Sequence, residues 1–211
     1  IFNCPGGCSG KTKIKFNNNK KIDLKDLNLK CTNTNHDKPI LIECETCKLI
    51  FSEFINNKFI EKYEDVKDEK YIEEINYKKE YFKNLYQKIK NEINSKGNVL
   101  EIGSYYGVFS NIAKKNINNL HSLELSHHAR EYAKKFYDIN SIGDDPLKYL
   151  EKKRDFFHNI LMFDVIEHLD EPFNLFKNVE YSLKDRSLFL YNLSFTLIPS
   201  DLINLFTSLL L

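Results

Sequence analysis

Asn98-Val99-Leu100-Glu101-Ile102-Gly103-Ser104-Tyr105-Tyr106-Gly107-Val108-Phe109-Ser110 is the stretch whose reading decides the fold. Val99, Leu100 and Ile102 form the short apolar run of a strand buried on both faces. Gly103 and Gly107 allow a left-handed backbone and close approach by a ligand. A helix beginning near Val108 would present free N–H groups at the turn. Strand, glycine turn and helix start together make the generic cradle of a nucleotide-like ligand.

Two carboxylates narrow the ligand. Glu101 lies at the carboxyl end of the strand, and Glu124 ends the next strand-like run, Leu120 to Leu125. Glu124 follows the first glycine by roughly twenty residues, the spacing at which an acidic side chain meets a ribose diol. Gly-x-x-x-Gly with Tyr105 at its centre departs from the dinucleotide pattern, and Glu101 would repel a pyrophosphate. A cationic ligand with a ribose and no phosphate fits better, and S-adenosylmethionine is such a ligand.

Val99 to Gly107 resembles motif I of the class I S-adenosylmethionine-dependent methyltransferases. Ser122-Leu123-Glu124-Leu125-Ser126 resembles their second motif, and Asp164-Val165-Ile166-Glu167-His168-Leu169-Asp170-Glu171-Pro172 resembles the segment after their fourth strand. The resemblance covers roughly residues 97 to 195. It implies a Rossmann-like, doubly wound, mostly parallel α/β sheet with its fourth strand, Phe156 to Phe163, beside the first. It also implies a cofactor site drawn from Glu101, Gly103, Ser104, Tyr105, Gly107, Glu124, Leu125, Asp144, Met162, Phe163 and Asp164. Asp144 lies where related enzymes meet the adenine. His158 stands where an aspartate often opens the fourth strand and receives no role.

For chemistry, His168 with Glu167 beside it is the candidate general base, both following the strand end that faces the acceptor. Two other readings stand. Glu167-His168 can be structural, or Asp164, Glu167 and His168 can hold a divalent ion, as in some RNA 2′-O- and quinone-precursor O-methyltransferases.

Before this domain the sequence changes character. Cys4, Cys8, Cys31, Cys44 and Cys47 are all the cysteines of the chain, and little apolar material lies between them. A segment without a core needs disulfides or a metal. Cys44-Glu45-Thr46-Cys47 has the gap that brings two thiolates to one zinc, and Cys4 with Cys8 can form a second knuckle. Residues 1–55 therefore read as a zinc-ribbon-like domain with strands at Ile40–Cys44 and Lys48–Phe51. Free thiols or a redox pair are the alternative, and Cys31 is a substitute ligand or a bystander. The arrangement is similar to the ribbon that precedes some bacterial methyltransferases, sugar methyltransferases among them. With nine lysines against five acids in residues 1–50, and two negative charges returned by a four-thiolate zinc, no strong nucleic-acid patch is read there.

Residues 56–96 read as a helical connector. Ile75, Phe82, Leu85, Tyr86, Ile89 and Ile93 recur along one face of a long helix. Either it packs on the sheet, or it forms a lid in which Tyr63, Tyr71, Tyr77 and Tyr81 shape the mouth of the pocket. Residues 97–211 form the cofactor-binding domain. Within it, helices are expected at Val108–Lys115, at His128–Tyr137 with Ala129, Tyr132, Ala133 and Phe136 on one side, and after Pro172 with Phe173, Phe176, Val179 and Leu183 inward. Strands are expected at Ile139–Ile142 and Ser187–Leu193. Asp145 reads as a helix cap, with Pro146 first in the helix; it competes with Asp144 for the adenine. His127 and His128 read as solvated. Asp201 to Leu211 reads as the start of a further helix in a domain cut short at its C-terminus.

Whole-chain properties set the outer limits. The chain has 211 residues, 42% hydrophobic and 29% charged, with a net charge of +1. Near-neutral charge argues against a general polyanion binder, and no apolar run reaches the roughly 18 residues of a membrane span. The expected setting is cytoplasmic, without membrane contact, and the sequence assigns no oligomeric state. The expected activity is methyl transfer to a small-molecule acceptor, such as a nucleotide-linked sugar. An RNA or protein methyltransferase that grips its substrate with the ribbon, and an inactive binding module, are the alternatives.

Overall fold

The computed structural model describes residues 3–4, 9–17, 30, 40–52, 60–169 and 172–192. Cys8, Cys31, Asp170, Glu171 and the 201–211 segment lie outside them, and Glu167 is described as backbone only.

The parallel sheet is built from β4 (Asn98–Ile102), β5 (Asn119–Leu123), β6 (Phe157–Phe163) and β7 (Leu183–Asn192), in the order β5-β4-β6-β7. Every pairing in it is parallel. The alternation of side chains along the strands divides the core into two layers. Val99 of β4 and Leu161 and Phe163 of β6 face α2 (Ile75–Ile89) and α3 (Val108–Ala113), with Tyr86, Phe109 and Ala113 buried between. Leu100, Ile102, Ile160 and Met162 face the other way, toward α5 (Pro146–Glu151) and α6 (Pro172–Ser182), where Tyr149, Leu150, Leu175 and Val179 close the layer. Helices on both faces of a parallel sheet make the Rossmann-like fold expected from the motifs.

Several local expectations are corrected. The single long helix is a 3-10 turn at Ile60–Tyr63, a short α1 (Glu69–Glu73) and α2, because Glu74 leaves the helical region (φ −88°, ψ 8°) and caps both helices. Ile93 is buried but lies beyond α2. The strand at Ile139–Ile142 reduces to one parallel bridge, Leu123 to Ile142. Ile142 is exposed, so no further apolar pairing extends it. α4 (His127–Tyr137) begins one residue early because the Ser126 hydroxyl accepts from Ala129 N–H, and its Phe136 is exposed. In α6 Leu175 replaces Phe173 as an inward residue, Phe173 being exposed, and Leu183 already belongs to β7. Asp145 caps α5 by accepting from Leu147 and Lys148 N–H.

The amino-terminal residues form a separate antiparallel sheet, β1 (Thr12–Phe16), β2 (Leu41–Cys44) and β3 (Ile50–Ser52), in the order β1-β2-β3. The β2–β3 turn carries Cys47, and Lys48 is left-handed in it (φ 62°). No described helix is long and apolar enough to cross a membrane.

Candidate functional site

The glycine turn is fixed from both sides. Gly103 (φ 72°) and Gly107 (φ 74°) are left-handed, and Tyr105 between them adopts φ 47°, a region in which a side chain is strained. A Cβ on Gly103 would collide with Val165 Cγ2, and one on Gly107 would come within 2.8 Å of the Ala133 Cβ. Both glycines are therefore required by the turn's own packing. Gly103 and Ser104 N–H both donate to Leu123 C=O at 2.9 Å, which ties the turn to the end of β5.

Glu124 sits at the centre of this arrangement. One carboxylate oxygen accepts from Tyr105 N–H at 2.6 Å and the other from Ser126 N–H at 2.7 Å. Burial pushes its pKa upward, opposed by those two N–H groups and by Arg130. Arg130 is itself committed to the carbonyls of Glu124 and Leu125. A carboxylate offers about four acceptor positions, and with Tyr105, Ser126 and Leu125 N–H bonded to it one is left for a ligand hydroxyl.

The other predicted residues divide. Ser104, Tyr105, Gly103 and Gly107 belong to the turn. Glu101 is buried behind it, accepting from the Ser110 hydroxyl. Burial raises its pKa to about 7, against the lowering effect of Ser110, and the like charge of Glu124 adds to the rise. Met162 is fully buried in the α5–α6 layer, and Phe163 packs on Phe109 with ring centroids 4.7 Å apart. Asp144 is half-buried and accepts from Asp145 N–H at 2.9 Å. Asp164 is left-handed (φ 54°) and opens the segment that folds Val165 over Gly103. His168 is exposed at the end of a 3-10 turn, its ring 5.7 Å from that of Tyr63. His127 and His128 are exposed, and His158 Nδ1 accepts from Asn98 N–H at the start of β4.

A strap across the turn was not read from the sequence as such. Asp68 is fully buried, caps α1 through Tyr71 N–H, and accepts from the Tyr105 hydroxyl at 3.3 Å. Its N–H donates to the Tyr106 hydroxyl at 2.8 Å. Tyr71 meets Tyr105 edge-on at 4.8 Å and stacks on Tyr106 at 5.2 Å. Ser126 donates to Val66 C=O and His127 N–H to Glu64 C=O. Of the four tyrosines proposed for a lid, Tyr71 contacts the turn, while Tyr77 and Tyr81 are exposed. The sequence signal for the strap was Asp68, a capping residue placed before a helical run.

In the amino-terminal sheet, the sulfurs of Cys4, Cys44 and Cys47 lie within 4.8 Å of one another, with Cys4 and Cys47 3.5 Å apart. That separation is far above a disulfide bond of about 2.05 Å. It suits thiolates around one zinc, whose tetrahedral edge is about 3.8 Å for bonds of about 2.3 Å. Gly10 packs against this group, a Cβ there falling 2.9 Å from the Cys44 sulfur. Asp164 and His168 are not part of any convergent metal-ligand group among the described residues.

A Rossmann-like parallel sheet with a glycine turn, and an acidic residue ending the second strand, define the architecture of the class I methyltransferases. The sequence profile of a methyltransferase domain matches residues 72–201, more than half of the chain, and the chain belongs to that family. Among solved structures it is similar to an S-adenosylmethionine-dependent methyltransferase from Archaeoglobus fulgidus, at 17% identity and a TM-score of 0.51. That likeness covers 58% of this chain and 57% of the other, and it shows the fold alone. A protein from Methanococcus maripaludis assigned as an S-adenosyl-L-methionine-dependent methyltransferase is 19% identical, with coverage of 55% and 56% and a TM-score of 0.48. No match is found among curated proteins.

Proposed function

We propose that this chain binds S-adenosylmethionine across Glu101 to Gly107 and Glu124 and transfers its methyl group to a small molecule. The observation that carries this reading is Glu124, held at the carboxyl end of β5 by Tyr105, Ser126 and Leu125 N–H with an acceptor position to spare. Ligands of such sheets collect at the carboxyl ends of the strands. The donor set there is rich in acceptors, Glu124, Asp144 and Asp164, and its nearby Arg130 is committed to carbonyls, which suits a diol and a cation better than a phosphate. When bound, the cofactor supplies a methyl group already activated by its sulfonium. The protein's part is to orient the reactants and, where the acceptor needs it, to take a proton. We take His168, exposed in the 3-10 turn after β6, as the candidate for that proton, with Glu167 next to it in sequence.

Cys4, Cys44 and Cys47, with Cys8 as the fourth ligand, would hold one structural zinc in the amino-terminal sheet. The ribbon in front of the domain favours a nucleotide-linked sugar as acceptor, by its similarity to ribbons of bacterial sugar methyltransferases. Residues 1–55, 56–96 and 97–211 then correspond to ribbon, connector and catalytic domain. Thermal unfolding with S-adenosylhomocysteine or NADH tests the cofactor. A ligand held by the native state at about 100 times its Kd stabilises by about 2.7 kcal/mol. Stabilisation by the first and not the second is expected; the reverse would place the chain among nicotinamide enzymes. Labelled S-adenosylmethionine offered with nucleotide-linked sugars, RNA or protein then tests the acceptor class.

A further inference from the structure

A row of serine hydroxyls runs from the buried Glu101 to the glycine turn. Ser110 of α3 donates to Glu101. Its oxygen lies 3.2 Å from that of Ser122 on β5, which accepts from Ser141 at 3.1 Å. Ser141 is 3.1 Å from Ser104 in the turn. Four hydroxyls on four different segments are thus joined in one line, and Ser104, Ser110 and Ser122 are buried. Glu101 and Ser122 are partners in the strand register, so both point into the layer under α3.

We propose that this row is a positioning relay that sets the hydrogen-bond polarity of Ser104 according to whether Glu101 is ionised. The inference rests on the cofactor reading above and deepens it. A hydroxyl has one proton to give, so each member of the row fixes the next. An ionised Glu101 accepts from Ser110, Ser110 from Ser122, Ser122 from Ser141 and Ser141 from Ser104. The Ser104 proton is then turned away from the ligand, and its oxygen offers lone pairs to a donor such as the cofactor's ammonium. When Glu101 takes a proton from solvent it becomes the donor, the row reverses, and Ser104 donates at the turn.

The surroundings of Glu101 let it serve as the switch. α3 brings the uncharged Ser110, β6 brings Leu161, and α2 brings Tyr86 to the same layer. The charged group facing it is Glu124 at the end of β5, of like sign. Its pKa of about 7 places the reversal near neutral pH.

The test is the Kd of S-adenosylhomocysteine by calorimetry from pH 6 to 8, in the wild type, Ser122→Ala and Glu101→Gln. Wild-type affinity is expected to rise about fivefold, as follows if binding lowers the carboxyl's pKa by about one. Both variants should show a flat profile, although Glu124 is intact in each. A flat wild-type profile, or a Ser122→Ala profile that rises like the wild type, overturns the relay; a rise that Glu101→Gln also keeps belongs to Glu124. Should Ser122→Ala fail to fold, Ser141→Ala, at a half-buried position outside the helices and strands, must give the flat profile in its place. A wild type that does not bind S-adenosylhomocysteine at any pH overturns the cofactor reading and the relay with it.

Discussion

Replacing Glu124 by alanine removes the acceptor of two backbone N–H groups, Tyr105 at 2.6 Å and Ser126 at 2.7 Å. Hydrogen bonds to a charged group contribute about 1.5–3 kcal/mol each. Part of that is offset, because the carboxylate is desolvated and its pKa is raised by burial. The expected net loss of folding stability is therefore about 1–3 kcal/mol, which for a chain of this size lowers Tm by a few degrees. Ligand affinity falls as well. Without the carboxylate the turn at Tyr105 loses its tether and the ribose loses its acceptor, so affinity for S-adenosylhomocysteine should fall at least tenfold, about 1.4 kcal/mol. Glu124→Gln keeps one acceptor oxygen and should fall between the two. Calorimetry on folded variants reads the difference, and unchanged affinity in a folded Glu124→Ala protein would refute the assignment.

Three further outcomes are expected. Glu101 has a folded pKa of about 7 against an ordinary 4.5, so its neutral form is favoured by folding; the stability this gives is complete below pH 4.5, falls as pH rises toward 7 and is lost above it, a change of about 3 kcal/mol. Glu101→Gln should accordingly reduce the fall in Tm between pH 5 and pH 8, and an unaltered fall would show that other groups cause it. Elemental analysis should find about one zinc per chain, reduced in Cys47→Ser, whereas metal-free protein with disulfides recovered under reducing conditions would contradict the zinc reading. His168→Gln should lower turnover roughly a hundredfold with cofactor affinity nearly intact if the histidine is the base; a joint loss of Tm and cofactor affinity would mark it as structural.

The fold was legible because β4 and β6 carry apolar residues on both faces and the turn carries glycines where φ is positive. Asp145-Pro146 was legible for a similarly local reason, a cap followed by a residue preorganised for the first helical position. What failed depended on tertiary packing. Ile139 and Ile142 look like a strand, yet only Ile142 reaches β5, through a single bridge. Phe173 is as apolar as any core residue, but the geometry of α6 turns Leu175 inward instead. Glu101 was legible as a residue at the carboxyl end of β4, but the serines that join its side chain to the turn come from four separate segments and carry no recognisable pattern. The strap from Glu64 to Tyr71 was hidden because its contacts with Tyr105, Tyr106 and Ser126 span some forty to sixty positions of sequence.

The most direct measurement is a calorimetric titration of the wild-type chain with S-adenosylhomocysteine, with NADH as the control in the same buffer. Saturable binding of S-adenosylhomocysteine near one per chain, with no heat from NADH, is predicted. Binding of NADH, or of neither ligand by a folded protein, would contradict the assignment of Glu124 and the glycine turn to S-adenosylmethionine.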